Sequence, residues 1–146
     1  MSFRREALDK VRFDMKLNEG AAVNFETDLC LQIKKMGYAI LFDRKIQIAH
    51  YNAPRQIAER RDDKTLYSNQ YSHNYVYLAL KHFNYLQKCA FLIYFCSIGQ
   101  KVAPGIGLYL WYALKRDPRK RLYWSSNAGK ARGVISYVNS VRRNEQ

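Results

Sequence analysis

An α/β unit followed by a mostly α-helical tail is the fold this sequence predicts. Three observations carry it. Between Thr27 and Tyr51 a helical apolar stripe gives way to two short runs that alternate like strands. Beyond the charged run from Glu59 to Lys64 the composition turns aromatic and apolar. Charge divides at the same place: residues 1–66 carry 13 Lys/Arg against 10 Asp/Glu, and residues 67–146 carry 12 against 2. Domain limits of 1–58 and 67–146 follow.

The elements read in order as follows. Glu6 to Val11 predicts a short helix with Leu8 and Val11 facing the core. Phe13 to Asn24 predicts a loop around Asn18-Glu19-Gly20. From about Thr27 to Met36, Leu29, Cys30, Ile33 and Met36 form the stripe of a half-buried helix. Glu26 and Asp28 sit at its positive end and Lys34 and Lys35 at its negative end. Gly37 suits the position after the helix. Tyr38 to Phe42 and Ile46 to Tyr51 then predict two strands joined by a turn at Asp43-Arg44-Lys45. Glu59 to Lys64 predicts a solvated loop or helix end. Tyr71 to Lys88 predicts a helix, Cys89 to Gly99 and Val102 to Leu114 are apolar runs split by Gln100-Lys101, and Ala128 to Arg143 predicts a basic helix.

Bulk properties narrow the class. A chain of 146 residues with 48% apolar content supports one modest core and is not a disordered tail. A net charge of +13, concentrated in the second half, attracts anionic membranes, nucleic acids or phosphorylated substrates. Cys30, Cys89 and Cys96 lack CxxC spacing, which argues against a disulfide scaffold or zinc site. All three read as buried apolar residues in a reducing compartment. The N-terminus has no apolar stretch of a secretory signal.

Two carboxylates at a helix mouth permit two uses. Glu26 or Asp28 can act as a general base toward an attacking hydroxyl. Equally, both can serve the free N–H groups and dipole of the helix start. His50 ends a predicted strand before the Pro54 loop, where an imidazole can ligate a metal or simply sit at a sheet edge. His73 and His82 fall in a helical region without sharing a face and read as structural.

Taken in order, Met1 to Val11, Phe13-Asp14, Glu26-Thr27-Asp28-Leu29, Gly37-Tyr38 and His50 resemble the acceptor half of a family 2 glycosyltransferase of GT-A fold, over roughly residues 1–55. The resemblance implies inverting transfer of a sugar from a nucleotide-sugar donor to an acceptor hydroxyl. It places Glu26 as catalytic base and Asp28 as the supporting helix-start residue. It gives His50 a part in binding a divalent metal (Mn or Mg) and diphosphate, and Arg55 a part in offsetting diphosphate charge. Phe25 stands where the family often has an acidic residue. Gly129-Lys130-Ala131-Arg132-Gly133 resembles an element of the helical tail of some bacterial members. The family's donor half, with its Asp-x-Asp motif, precedes this point and has no counterpart here. The resemblance therefore implies a truncated, mis-started or split product that needs a separate donor-domain chain and does little chemistry alone.

Each apolar run of the tail is too short to span a bilayer, which takes about 20 residues. Such runs suit core helices, or a re-entrant or interfacial hairpin. Trp111 and its neighbouring tyrosines lie close to Lys115, Arg116, Arg119, Lys120 and Arg121, which favours an anionic membrane surface. The expected location is cytoplasmic, peripheral at the inner face of the membrane. A basic nucleic-acid-binding module is the main rival, disfavoured because the aromatics lie in apolar runs rather than alternating with cations. A non-enzymatic remnant that binds a partner chain is the third alternative.

Overall fold

The computed structural model describes residues 3–17, 24–41, 43–46, 49 and 63–144. Six α-helices carry most of them: α1 (Arg5–Leu8), α2 (Phe25–Lys35), α3 (Lys64–His82), α4 (Tyr85–Ser97), α5 (Ile106–Leu114) and α6 (Lys120–Asn144). A 3-10 turn at Met15–Leu17 lies between α1 and α2.

The predicted α/β unit is overturned: the described residues form no sheet, and their one β-bridge, Gly99 to Pro104, belongs to a helical hairpin. Tyr38 to Leu41 and Ile46 lie outside any strand. Ile40, Leu41 and Ile46 are 56%, 89% and 67% exposed. An alternating strand is stable only where a sheet or helix covers its apolar face, and a lone hairpin is marginal in water. None of these three side chains finds that cover. The remaining residues of the two expected strands lie outside the described residues.

Helix α2 matches its pattern in part. Leu29 and Ile33 are buried with Ala7 and Val11, and Tyr38 packs on that cluster, whereas Cys30 is half-buried and Met36 is exposed. Its end is a Schellman turn: Gly37 (φ +89°) donates to Lys34 O at 3.0 Å and Tyr38 to Ile33 O at 3.4 Å. Toward the N-terminus, α1 is shorter than expected, and Leu8 turns outward while Ala7 takes the core position.

The long helix predicted over 71–88 is two helices. Asp63 begins the first by accepting from the amides of Thr65 and Leu66 at 2.9 and 3.1 Å. Phe83 is extended, and Asn84 opens α4 with a capping box closed by Gln87. The charged run thus contains a helix cap.

Helices α3 and α6 form the spine of the molecule. Gly129 and Gly133 lie one turn apart on α6 and face the α3 backbone. A Cβ on Gly129 would overlap the Asn69 carbonyl, and one on Gly133 would lie 2.6 Å from His73 O. Small polar side chains use this proximity. Ser72 and Ser126 bond at 2.9 Å, and Asn69 donates to Ser125 O at 2.8 Å. His73 is held by Asn74 and Ser136, so it is structural as expected. Val76, Leu80, Phe95 and Ala103 supply the apolar core beside it. Fully buried Phe95 contributes about 2–3 kcal/mol.

Gly129→Ala tests the close approach. Helix propensity alone would make it stabilising by about 1 kcal/mol. Overlap with the Asn69 carbonyl should instead cost roughly 1–3 kcal/mol in urea unfolding. A neutral or stabilising result would show that the helices are further apart.

Candidate functional site

At the mouth of α2 the two carboxylates part company. Asn24, in the left-handed region at φ 71°, turns the chain into the helix without a side-chain cap. Phe25 lies edge-on to Phe13, with ring centroids 5.7 Å apart, and packs on Leu17, Tyr77 and Leu78. An apolar ring therefore fills the place the resemblance gives to an acid. Glu26 is exposed in the first turn and pairs with no described cation. Asp28 is 1% exposed.

Asp28 caps nothing in its own helix start; it reaches across to the end of α3. His82 Nε2 lies 2.7 Å from Asp28 Oδ1. Lys81 Nζ lies 2.9 Å from the same oxygen and 3.0 Å from Oδ2. Gln32 Nε2 donates to Oδ2 at 2.6 Å. Lys81 also bonds Asp14 Oδ2 at 2.8 Å, and Tyr77 donates its hydroxyl to that oxygen at 2.7 Å. One ammonium thus joins two carboxylates from different segments.

Burial pushes both carboxyl groups upward, but their partners win. His82, Lys81 and Gln32 hold Asp28 below the usual carboxylate range, and Lys81, Tyr77 and the Lys16 amide do so for Asp14. Burial and then the bond to Asp14 raise the Tyr77 phenol. His82 Nδ1 is buried without a partner among the described residues.

The cluster does not fit the metal that the resemblance implies. Lys81 occupies the position between Asp14 and Asp28 that a cation would take. Among the described residues no group of three His, Cys, Asp or Glu is placed to hold a metal ion. His50 and Arg55 lie outside the described residues.

Sequence reasoning missed Lys81, Tyr77 and the part played by Asp14. It took His82 as structural without finding its partner. A pair of basic residues ending α3 was the available signal, since cations favour a helix C-terminus. Nothing local says which carboxylate they meet.

The apolar runs form a helical hairpin. Between Cys89 and Leu114 the single charged residue is Lys101. Yet α5 buries none of its residues, and α4 buries Phe95 alone. Leu86, Ile93, Ile98, Leu110 and Leu114 are more than half exposed. Cys89 is exposed too, while Cys30 and Cys96 are half-buried, so the expectation of three buried cysteines fails. The turn of the hairpin is fixed: Lys130 Nζ reaches Phe95 O at 2.5 Å and Pro104 O at 2.9 Å, and Ser68 donates to Val102 O at 2.6 Å. Burial lowers the Lys130 ammonium to about 8.

The basic cluster follows the hairpin. Lys115 Nζ lies 4.2 Å above the Trp111 ring, and the Arg119 guanidinium 4.4 Å above that of Tyr112. Arg119 pairs with Asp117 at 2.8 Å. Arg116, Lys120 and Arg121 are exposed and pair with no described carboxylate. No described helix is long and apolar enough to cross a membrane. Comparison with protein-family models, curated proteins and solved structures finds no match for this chain. The sugar-transferase resemblance therefore rests on its own residues.

The Asp28 network has a pH signature. Its folded pKa is depressed, so its stabilisation is present above the unfolded value, near 3.8, and is lost as pH falls through the folded one. Asp28→Asn should cost roughly 3 kcal/mol at neutral pH, because Lys81 and His82 lose their buried anion. The gap to wild type should narrow below about pH 4. Parallel stability curves for the two proteins across this range would show that Asp28 is not the anchor.

Proposed function

We propose that this chain is the acceptor-side portion of an inverting sugar transferase that works on a membrane surface. The observation that carries the catalytic half is the division between Glu26 and Asp28. A general base must reach solvent and substrate, and an anchor must not. Glu26 is exposed at the positive end of α2, whereas Asp28 two residues on is consumed by Lys81, His82 and Gln32. Glu26 takes the proton from the acceptor hydroxyl, and Asp28 fixes the helix that presents it. The nucleotide-sugar donor and its site belong to another part of the enzyme in this reading.

The membrane half rests on the hairpin. Its exposed apolar flank adjoins Arg116, Lys120 and Arg121, with Trp111, Tyr112 and Trp124 at the boundary. Apolar area beside unpaired cations complements a bilayer of anionic lipid. The turn from Gly99 to Gly105 is tied to the α3–α6 spine, so the hairpin meets the bilayer with its side rather than its tip.

In the intact transferase, Glu26→Gln should lower turnover by roughly 10²-fold or more. Stability should barely change, because the Glu26 side chain is exposed and pairs with no described cation. Turnover near the wild-type rate would reduce Glu26 to a helix-start residue.

Vesicle sedimentation tests the surface. Binding to anionic vesicles should exceed binding to neutral ones and weaken with salt, each cation contributing on the order of 1 kcal/mol. Replacing Lys115, Arg116, Arg119, Lys120 and Arg121 by Gln should remove the preference. Salt-sensitive binding to RNA with none to vesicles would favour the nucleic-acid alternative.

A further inference from the structure

A cavity of about 660 Å³ opens between α3, α5 and α6, beside the exposed flank of the hairpin. Its walls differ in character. Tyr109 and Trp124, with ring centroids 5.6 Å apart, form an aromatic side. Lys120 and Arg121 form a cationic side, with no described carboxylate to neutralise them. Thr65 and Asn69 from α3 line its floor, where the Asn69 amide already donates to Ser125 O and its oxygen accepts from Arg132.

Neighbouring cations are less available. Arg119 is held by Asp117, and Lys115 lies over Trp111. Of the three remaining cations of the cluster, none with a described carboxylate partner, Lys120 and Arg121 line the cavity and Arg116 lies outside it. Unpaired cations and an aromatic wall opening onto apolar surface suit an amphiphile with an anionic head. They suit neither a purely polar ion nor a neutral hydrocarbon.

We infer that this cavity seats the phosphate headgroup of a single anionic lipid, between Lys120 and Arg121 on one side and Tyr109 and Trp124 on the other. The acyl chains then leave along the outer side of α5, over Leu110 and Leu114. This inference rests on the membrane-surface reading above and adds to it a discrete site, where that reading needs only a diffuse field.

The probe is dihexanoyl phosphatidic acid below its micelle concentration, titrated into the full chain and followed by tryptophan fluorescence. Binding should saturate at one equivalent, and inorganic phosphate or dihexanoyl phosphatidylcholine should bind at least roughly tenfold more weakly, a difference of about 1.4 kcal/mol. Lys120→Gln with Arg121→Gln should weaken the short-chain lipid by roughly tenfold or more. Lys115→Gln with Arg116→Gln, outside the cavity, should leave it within about twofold yet still weaken anionic vesicle binding. Ala113→Phe fills the cavity without changing charge, and should remove short-chain binding while vesicle binding survives. Both double variants affecting the short-chain lipid equally would overturn the site and leave the surface reading intact. Equal affinity for inorganic phosphate would overturn the lipid assignment. Saturable lipid binding without vesicle binding would uphold the site and sink the surface reading.

Discussion

The close approach of α3 and α6 sets the position of everything else. Gly129 and Gly133 let the two backbones come near enough for serine and asparagine side chains to bridge them. Each part of α3 then has a separate task. Its first turns hold the hairpin turn through Ser68, its middle meets α6 through Ser72 and His73, and its last residues hold α2 through Lys81 and His82. The candidate base and the candidate membrane face are thus positioned by opposite ends of one helix.

This spine is polar for a buried contact. Ser72, His73, Asn74 and Ser126 are at most 1% exposed, and Lys130 only 3%. Buried polar groups cost stability unless satisfied, and here they are satisfied. Asn74 donates to Leu17 O, Ser126 to Pro104 O, and Lys130 to two carbonyls. The gain is specificity: a sliding helix pair would leave a serine or an ammonium without its partner. Lys130 shows the tension most clearly. Its burial is disfavoured enough to lower its pKa to about 8, yet its ammonium links the end of α4 to the hairpin turn and lies 4.5 Å over the Phe95 ring.

Local signals were legible where local physics decides. The stripe of Leu29 and Ile33, the lysines at the end and Gly37 predicted α2 and its termination. Gln100-Lys101 marked the break between the two apolar helices. Capping was also local but was overlooked: Asp63 lay hidden in a charged run, and Asn84-x-x-Gln87 inside an expected helix. The strands failed because alternation at Tyr38 to Leu41 states a need for a covering surface and cannot supply one. At the site, Glu26 and Asp28 look alike in sequence. Partners more than fifty residues away separate them. The resemblance picked out Glu26 as base, whereas the anchoring role of Asp28 depends on the end of α3.

Within the proposed membrane-surface reading, the geometry of the hairpin separates two ways of meeting a bilayer. A re-entrant hairpin would carry its turn deepest into hydrocarbon, where each unsatisfied backbone group costs several kcal/mol. Here the turn is the most protein-bound part: Ala103, Pro104 and Gly105 are buried, and the carbonyls of Val102 and Pro104 accept from Ser68, Ser126 and Lys130. Freeing the turn for tip-first insertion would break those bonds and expose Lys130. Helix length points the same way. At 1.5 Å per residue the nine residues of α5 reach about 14 Å, half the hydrocarbon thickness. A helix lying on its side needs only about 5–10 Å of depth to bury one face. Its outer residues Ile106, Leu110 and Leu114 recur every four positions, as side-on burial requires. The cations beginning with Lys115 follow directly after its last turn, which in the proposed membrane-surface reading keeps them at headgroup level with the flank submerged.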